Sequence, residues 1–387
     1  MYTLVLKKGE EKRADRHPWI FANTVAHILD KDAQGSVAKV VTSSGRLVGY
    51  GFINHASKII VRIMTRDDTP IDRDLFLTRI KRAKAQREAL GLYDNYRAVF
   101  SESDGLPGLI VDKYRDHLSV QILTLGMDVR RDMIVEVLRE VFEPACIYER
   151  SDVASRAKEG LPERKALLFG TLDPDLTITE NGLTLAIDLE NGQKTGYFLD
   201  QKETRAAVAR YAKGRRALDL FCNQGGFALN AAKGGAREIT AVDVSETALE
   251  QVRKNAALND IENVTTEKAD VFAYLREKKH ATERYGLIVL DPPAFTKSAD
   301  TVKEGYKGYL TTNAAALSLL EENGVLVTCS CSRFMTIPLF LKMIEEASLV
   351  AKVKVKLLEI RTQSPDHAAE IGLDDALYLK TVILMRN

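Results

Sequence analysis

The sequence predicts an α/β protein: from residue 181 onward a seven-stranded, mostly parallel sheet wrapped by helices, preceded by a small β-rich unit and an α+β block. Three observations lead there. Apolar strand-like runs alternate with helical stretches in the last part of the chain, a rhythm that implies a parallel sheet covered on both faces. The first 70 residues instead carry short Val/Ile-rich runs broken by turn-forming clusters. Between them lies a block that mixes helices and strands.

Composition bounds the reading. At 387 residues the chain exceeds one ordinary domain, so two or three are expected. Hydrophobic residues at 45% and charged residues at 28% are the profile of a globular protein with ample core. No apolar stretch is long enough to cross a bilayer, and "MYTLVLKKGEEKRADRHPW" has no secretory apolar region. Cysteines at 146, 222, 329 and 331 are too few and too scattered for a disulfide framework. A cytoplasmic location without a membrane partner is therefore expected. Fifty-five Lys and Arg against 54 Asp and Glu neither support nor exclude a nucleic-acid partner, because such footprints are local patches. "LKKGEEKRADR" (6–16) and "RIKRAKAQR" (79–87) are dense in positive charge, the second reading as an amphipathic helix with Ile80, Ala83 and Leu90 turned inward. Either run alone is more simply a solvated helix face.

Taken in order, "SVAKVVTSSGRLVGYGFINHASKIIVRIMTR" supplies strands punctuated by "SSGR" and "NHAS". "RDDTPIDRDL" (66–75) ends that pattern. A helix over about 72–90 follows, then the loop "SESDGLPG", strands "LIVDKY" and "HLSVQIL", a helix near 128–142 and a strand at "ACIYER". Seven further strands are expected at 216–221, 238–245, 263–270, 285–291, 324–330, 352–359 and 377–385. Helices separate the first six, such as "SETALEQVRKNAALN" with Ala248, Val252 and Leu258 assigned to one face. The last two strands leave no room for a helical crossover and are expected to form an antiparallel edge. The boundaries drawn are 1–70, 71–180 and 181–387.

In an open parallel sheet, ligands sit beyond the carboxyl ends of the strands at the topological switch point. "LDLFCNQGGFALNAA" leaves the first of these strands through Gly225-Gly226, which let backbone approach a ligand closely. The second strand ends at Asp243, 24 positions after Asp219 and placed to accept from both hydroxyls of a ribose. The third ends at Asp270, which could receive an adenine amino group. NAD and S-adenosylmethionine both fit such a set, but the G-x-G-x-x-G cradle for a pyrophosphate is absent. Few glycines and acidic strand ends suit a cationic cofactor without phosphate, which is S-adenosylmethionine.

The fourth strand ends in "LDPPAF" (290–295) and the fifth in "TCSCSRF", so Asp291-Pro292-Pro293 and Cys329-Ser330-Cys331 should face each other beside the cofactor. Consecutive prolines hold an extended loop without backbone donors, with Phe295 packing nearby. A C-x-C pair lacks the four ligands of a zinc site, and a bridge between the two cysteines would be strained. Buried packing is the serious alternative, with 329 and 331 on one strand face. Against it, the strand leaves the core here and meets Ser332, Arg333 and a helix start at "TIPLF", where the cation and the helix end would depress a thiol pKa. A thiolate beside S-adenosylmethionine has a specific use: addition to C6 of a pyrimidine makes C5 a methyl acceptor. A carboxylate such as Asp291 could hold the N3/N4 edge. Methylation of an exocyclic amine needs no thiol.

The chain resembles the bacterial and archaeal 23S rRNA 5-methylcytosine methyltransferase family of the large-subunit methyltransferase I type, over nearly its whole length. "HPWIFANTV" and "GYGFINHASKIIVRIMTR" look like its N-terminal PUA domain, and "SDGLPGLIVDKY" and "YERSDVASRAKEGL" like its central domain. "GQKTGYFLDQKETR", "DLFCNQGGFALNAAKGGA", "AVDVSETALE", "LDPPAFTKS" and "CSCSRFM" look like its catalytic domain. The resemblance implies a Rossmann-like class I S-adenosylmethionine methyltransferase with Cys331 as nucleophile and Cys329 at a position the family does not require to be cysteine. Residues and resemblance together give a candidate cofactor set of Phe198, Asp200, Gln201, Arg205, Asp219, Phe221, Gly225, Gly226, Asp243, Ser245, Asp270, Val271, Asp291 and Pro292, with Cys331 and Asp291 as the catalytic pair. Two-cysteine relatives carry a second thiol after the proline of the acidic loop; here Ala294 stands there, so the release step has no evident owner. Phe221-Cys222-Asn223 also departs from the turn common in relatives.

The implied partner is RNA, 23S rRNA by the resemblance, docked by a PUA module that reads backbone and shape, with the target base unpaired or flipped; a homodimer is compatible with the sequence. Two other readings stand beside this one. An rRNA guanine N2 or N7 methyltransferase would share the acidic-Pro-Pro-aromatic loop without the thiol. A non-catalytic RNA-binding assembly factor would have kept the fold and lost cofactor binding.

Overall fold

The computed structural model describes residues 1–30, 32–278, 282–296, 298–373 and 376–387; Lys297, within "LDPPAFTKS", lies outside them. The chain folds as two compact units. One comprises Met1–Ile178, Ile187–Leu199 and Pro365–Ala376, the other Thr179–Ala186, Asp200–Ser364 and Leu377–Asn387.

The first unit holds two sheets. Its six-stranded sheet runs in the order Trp19–Phe21, Ile59–Thr65, Leu47–Ile53, Val37–Val41, Tyr2–Leu6, Val25–Leu29, antiparallel except where Tyr2–Leu6 meets Val37–Val41. Inward alternation along these strands puts Leu4, Leu6, Val40, Val48, Ile53 and Val61 into one core. The basic run at 6–16 becomes a short helix, Glu11–Arg16, with Lys7, Lys8, Lys12, Arg13 and Arg16 exposed.

A five-stranded sheet follows, ordered Arg164–Gly170, Cys146–Ser151, His117–Ile122, Leu109–Tyr114, Asn95–Phe100, and helices Arg73–Ala89 and Arg131–Phe142 pack on it around Phe76, Ile80, Val111 and Leu138. The helix expected near 128–142 is divided, Leu125–Asp128 preceding Arg131–Phe142. Leu90 does not turn inward: the helix ends at Ala89 and Leu90 is 57% exposed. The inward face is Phe76, Ile80, Ala83 and Arg87. Arg87 can close that face because its guanidinium forks onto Asp104 at 2.7 and 2.8 Å. Arg79 likewise donates to the carbonyls of Met64 and Gly105. Two cations of the second basic run are thus structural, not solvated.

The second unit is a seven-stranded sheet. Its strands are β1 (Arg216–Leu220), β2 (Glu238–Asp243), β3 (Val264–Lys268), β4 (Tyr285–Leu290), β5 (Leu320–Ser330), β6 (Val355–Arg361) and β7 (Lys380–Arg386). The order is β3-β2-β1-β4-β5-β7-β6. β1 to β5 are mutually parallel, and β7 lies antiparallel between β5 and β6. The expected antiparallel edge is present, with the last strand inserted inside it. Its helices are α1 (Lys202–Arg210), α2 (Gly226–Lys233), α3 (Glu246–Ala257), α4 (Val271–Lys278), α5 (Val302–Leu319) and α6 (Ile337–Ala351). β6 starts at 355 and not at 352, because Lys352 ends α6 in a left-handed conformation, φ 55°. On α3 the buried residues are Leu249, Val252, Asn255 and Ala256, and Leu258 is 43% exposed. At 100° per residue, position 258 lies about 240° around the helix from 252.

Candidate cofactor and catalytic site

The strand order reverses between β1 and β4, so the crevice opens beyond their carboxyl ends. β1 is buried from Ala217 to Leu220 and leaves the core through an abrupt turn. Phe221, Asn223 and Gly225 all have left-handed φ, at 61°, 47° and 80°. A Cβ on Gly225 would stand 2.9 Å from Val252 Cγ1, so glycine alone fits the start of α2. Buried Asp219 accepts from the Ala228 amide at 2.9 Å through Oδ2. Its Oδ1 is buried and accepts no hydrogen bond among the described residues. Burial pushes the Asp219 carboxyl well above the usual range, and the charges of Asp291 and Asp243 add to it.

At the end of β2, Asp243 takes the Asn223 amide on Oδ2 at 3.0 Å and the Ser245 amide on Oδ1 at 2.9 Å. It therefore locks the β1 turn to the start of α3, which Ser245 caps through the Ala248 amide. Each Asp243 oxygen keeps lone-pair capacity for a further donor. Asp270, after β3, is exposed and caps α4 through the Ala273 amide at 2.8 Å. Val271 turns away into the core at 2% exposure.

Beyond β4, the Asp291 amide extends the ladder to the Leu220 carbonyl at 3.4 Å, and its Oδ2 accepts from Gln201 Nε2 at 3.2 Å. Pro292 is buried and Pro293 exposed. Phe295 packs 4.7 Å from Tyr309 and 5.6 Å from Phe272, and Phe272 lies 6.4 Å from Phe221. This aromatic row flanks the loop. Asp200 is held by Tyr378, whose hydroxyl donates to Oδ2 at 2.6 Å.

The two cysteines differ. Cys329 lies within β5, fully buried and 3.3 Å from the Thr381 hydroxyl, and burial pushes its thiol well up. β5 stops at Ser330, so Cys331 is not on the same strand face; it opens the following loop and is half-buried. That loop is fastened at several points. Ser330 donates to Tyr309 Oη at 3.0 Å, Tyr309 and Ser332 share a 2.8 Å hydroxyl contact, and the Thr296 amide donates to Ser332 Oγ at 3.3 Å. The acidic-Pro-Pro loop and the cysteine loop are thereby tied together, as the adjacency of β4 and β5 requires.

A second cation, besides the expected Arg333, stands by the cysteine loop. Arg333 is exposed, with its guanidinium 5.3 Å from the Phe334 ring. Lys380, opposite Ser330 in the β5–β7 register, is 3% exposed and donates to the carbonyls of Ser332 at 2.6 Å and Tyr378 at 2.7 Å. Burial lowers its pKa to about 8, partly offset by Cys331. Sequence reading missed Lys380 and Tyr309; a lysine inside the apolar run "LYLKTVILM" was the available signal for the first.

Two further candidates have partners of their own. Arg205 is 3% exposed and forks onto buried Glu180, Nε to Oε1 at 2.6 Å and Nη2 to Oε2 at 2.8 Å. Phe198 falls in the first unit, where Lys194 Nζ sits 4.6 Å from its ring centre. Asp219, Phe221, Gly225, Gly226, Asp243 and Ser245 gather at β1 and β2, Asp270 at β3, and Gln201, Asp291, Pro292 and Cys331 at β4 and β5.

A glycine-floored turn and acidic strand ends without a phosphate cradle define a nucleoside-cofactor fold suited to a cationic ligand. The buried acceptor on Asp219 and the close backbone approach at Gly225 fit S-adenosylmethionine. Residues 166–380 match the S-adenosylmethionine-dependent methyltransferase family, and residues 4–66 a PUA-like domain. "Ribosomal RNA large subunit methyltransferase I" of Shewanella amazonensis is 43% identical over 387 residues, 98% of each chain. The protein of the same name from Tolumonas auensis is 40% identical over 391 residues, 99% of this chain and 98% of that one. A Streptococcus mutans structure described as a SAM-dependent methyltransferase matches over 100% of both chains with a TM-score of 0.85 at 23% identity, a likeness of fold. The chain belongs to the ribosomal RNA large subunit methyltransferase I family, and its cofactor is S-adenosylmethionine. Among the described residues no helix is long and apolar enough to cross a membrane.

Proposed function

We propose that this chain methylates large-subunit ribosomal RNA at C5 of a cytosine, with Cys331 as the nucleophile. The observation that carries the reading is the inequality of the two thiols. Cys329 is sealed in the sheet, whereas Cys331 opens a loop tied to the Asp291-Pro292-Pro293 loop. The names of the full-length relatives support an rRNA substrate. The PUA-like sheet and the exposed cations of residues 7–16 suit contact with an RNA backbone.

When bound, S-adenosylmethionine supplies an electrophilic methyl group. Asp243 is the acceptor for the ribose hydroxyls, Asp270 for the adenine amino group, and the Gly225 turn admits close backbone approach. The Cys331 thiolate adds to C6 of a flipped cytosine, and the displaced π electrons make C5 an enamine carbon able to accept methyl. Once C5 has bonded the methyl group, loss of the C5 proton to solvent water returns electrons to the ring, breaks the S–C6 bond and frees the thiolate. Asp291, steadied by Gln201, is the carboxylate for the N3/N4 edge of the base.

The test is methyl transfer to rRNA by Cys331→Ala and Cys329→Ala, with bisulfite mapping of the product. Cys331→Ala should abolish transfer and Cys329→Ala retain it. Full transfer by Cys331→Ala would sink the C5 mechanism in favour of an exocyclic or guanine target.

A further inference from the structure

We propose that Lys380 is the positioning residue and counter-cation of Cys331, holding the loop that carries the thiol and favouring its thiolate. The inference rests on the nucleophile reading above and goes beyond it, by naming what prepares the sulfur.

The geometry is that of a pinned ammonium. Lys380 is the first residue of β7, and its register partner is Ser330, the last residue of β5. From there its side chain reaches past the strand end. Nζ donates to the Ser332 carbonyl at 2.6 Å and the Tyr378 carbonyl at 2.7 Å. It thus grips the residue after Cys331 from below while the Ser332 hydroxyl is held by Tyr309 and Thr296. A lysine 97% removed from solvent needs such acceptors and a compensating negative charge, or it gives up its proton. Cys331 supplies that charge once ionised, and the interaction is reciprocal.

The other titratable groups of the neighbouring elements are neutral, acidic or exposed. From α5, Tyr309 is buried with its ionisation pushed up, so it stays neutral. From β5, Cys329 stays a thiol. The loop after β4 contributes Asp291, whose charge opposes a thiolate. Asp200, facing through Tyr378, is also acidic. Arg333, adjacent in sequence, is solvent-exposed, where its field is screened. Lys380 is the buried cation of this set.

The experiment is the pH dependence of Cys331 alkylation by iodoacetamide in the full-length protein, read by peptide mass spectrometry, for wild type, Lys380→Met and Lys380→Arg. In wild type the midpoint should lie below the ordinary thiol value of about 8.5. Lys380→Met should raise it by about one unit or more, slowing alkylation at pH 7 about tenfold. Lys380→Arg, which keeps the charge, should recover most of the rate. A purely structural lysine would leave the midpoint in place. An unshifted midpoint in folded Lys380→Met overturns the proposal. If that variant does not fold, a wild-type midpoint at or above about 8.5 overturns it without any variant. Failure of the nucleophile reading is seen separately, as methyl transfer surviving in Cys331→Ala.

Discussion

Arg205 and Glu180 offer the sharpest energetic test. The pair is 3% and 0% exposed, with two parallel bonds of 2.6 and 2.8 Å. Removing one partner of such a pair leaves a charge in low dielectric, a loss of about 3–5 kcal/mol. Arg205→Leu should therefore lower the thermal midpoint of the second unit by about 6–20 °C, since 1 kcal/mol is worth roughly 2–4 °C at this size. The only tryptophan, Trp19, belongs to the first unit, so far-UV dichroism or calorimetry is the assay and tryptophan emission is not. Glu180→Gln combined with Arg205→Leu should recover most of the loss, because no charge remains to be desolvated. A single-variant loss under about 1 kcal/mol, or a double variant no better than the single, would refute the reasoning. The double variant also decides the role of Arg205. If it serves the fold alone, calorimetric affinity for S-adenosylmethionine is unchanged; if it serves the cofactor, affinity falls.

Gly225→Ala should cost about 1–3 kcal/mol and weaken S-adenosylmethionine binding, since φ is 80° and the new Cβ meets Val252; wild-type affinity by calorimetry would contradict this. Asp219→Asn keeps the acceptor for the Ala228 amide and removes a carboxyl raised chiefly by burial. The native penalty develops as pH rises above the unfolded value, so the variant's stability relative to wild type should increase from pH 4 to 8 in urea titrations, and a flat difference would exclude it. Glu159→Ala strands Asn54, Ser57 and Arg62, which donate to that carboxylate at 2.9, 2.7 and 2.9 Å, and should cost about 3 kcal/mol, read by Trp19 emission in the same unit. An unshifted emission transition would show that the three donors are satisfied without it.

Local pattern carried much of the fold. Strand runs such as "YGLIVLD" and "GVLVTCS" are apolar because both sheet faces are buried, so β4 and β5 were legible, as was their adjacency. Leu258 was misassigned where apolarity was trusted over angular position, and Leu90 because the helix stops one residue before it. Arg87 occupies an inward place on that helix, and its forked pairing with Asp104, 17 residues away, helps offset the cost of burying the charge.

What the sequence determined by itself is the chemistry on offer: acidic strand ends, a glycine turn, a proline-stiffened loop and a thiol after the fifth strand. Periodicity and turn residues act over a few positions, and these features are local. Tertiary structure decided which groups meet. The insertion of β7 between β5 and β6 brings Lys380 to Ser332 across 48 residues, and the fold pairs Arg205 with the buried carboxylate of Glu180, 25 residues away. Such contacts depend on strand order and on desolvation, neither of which is written at any one position.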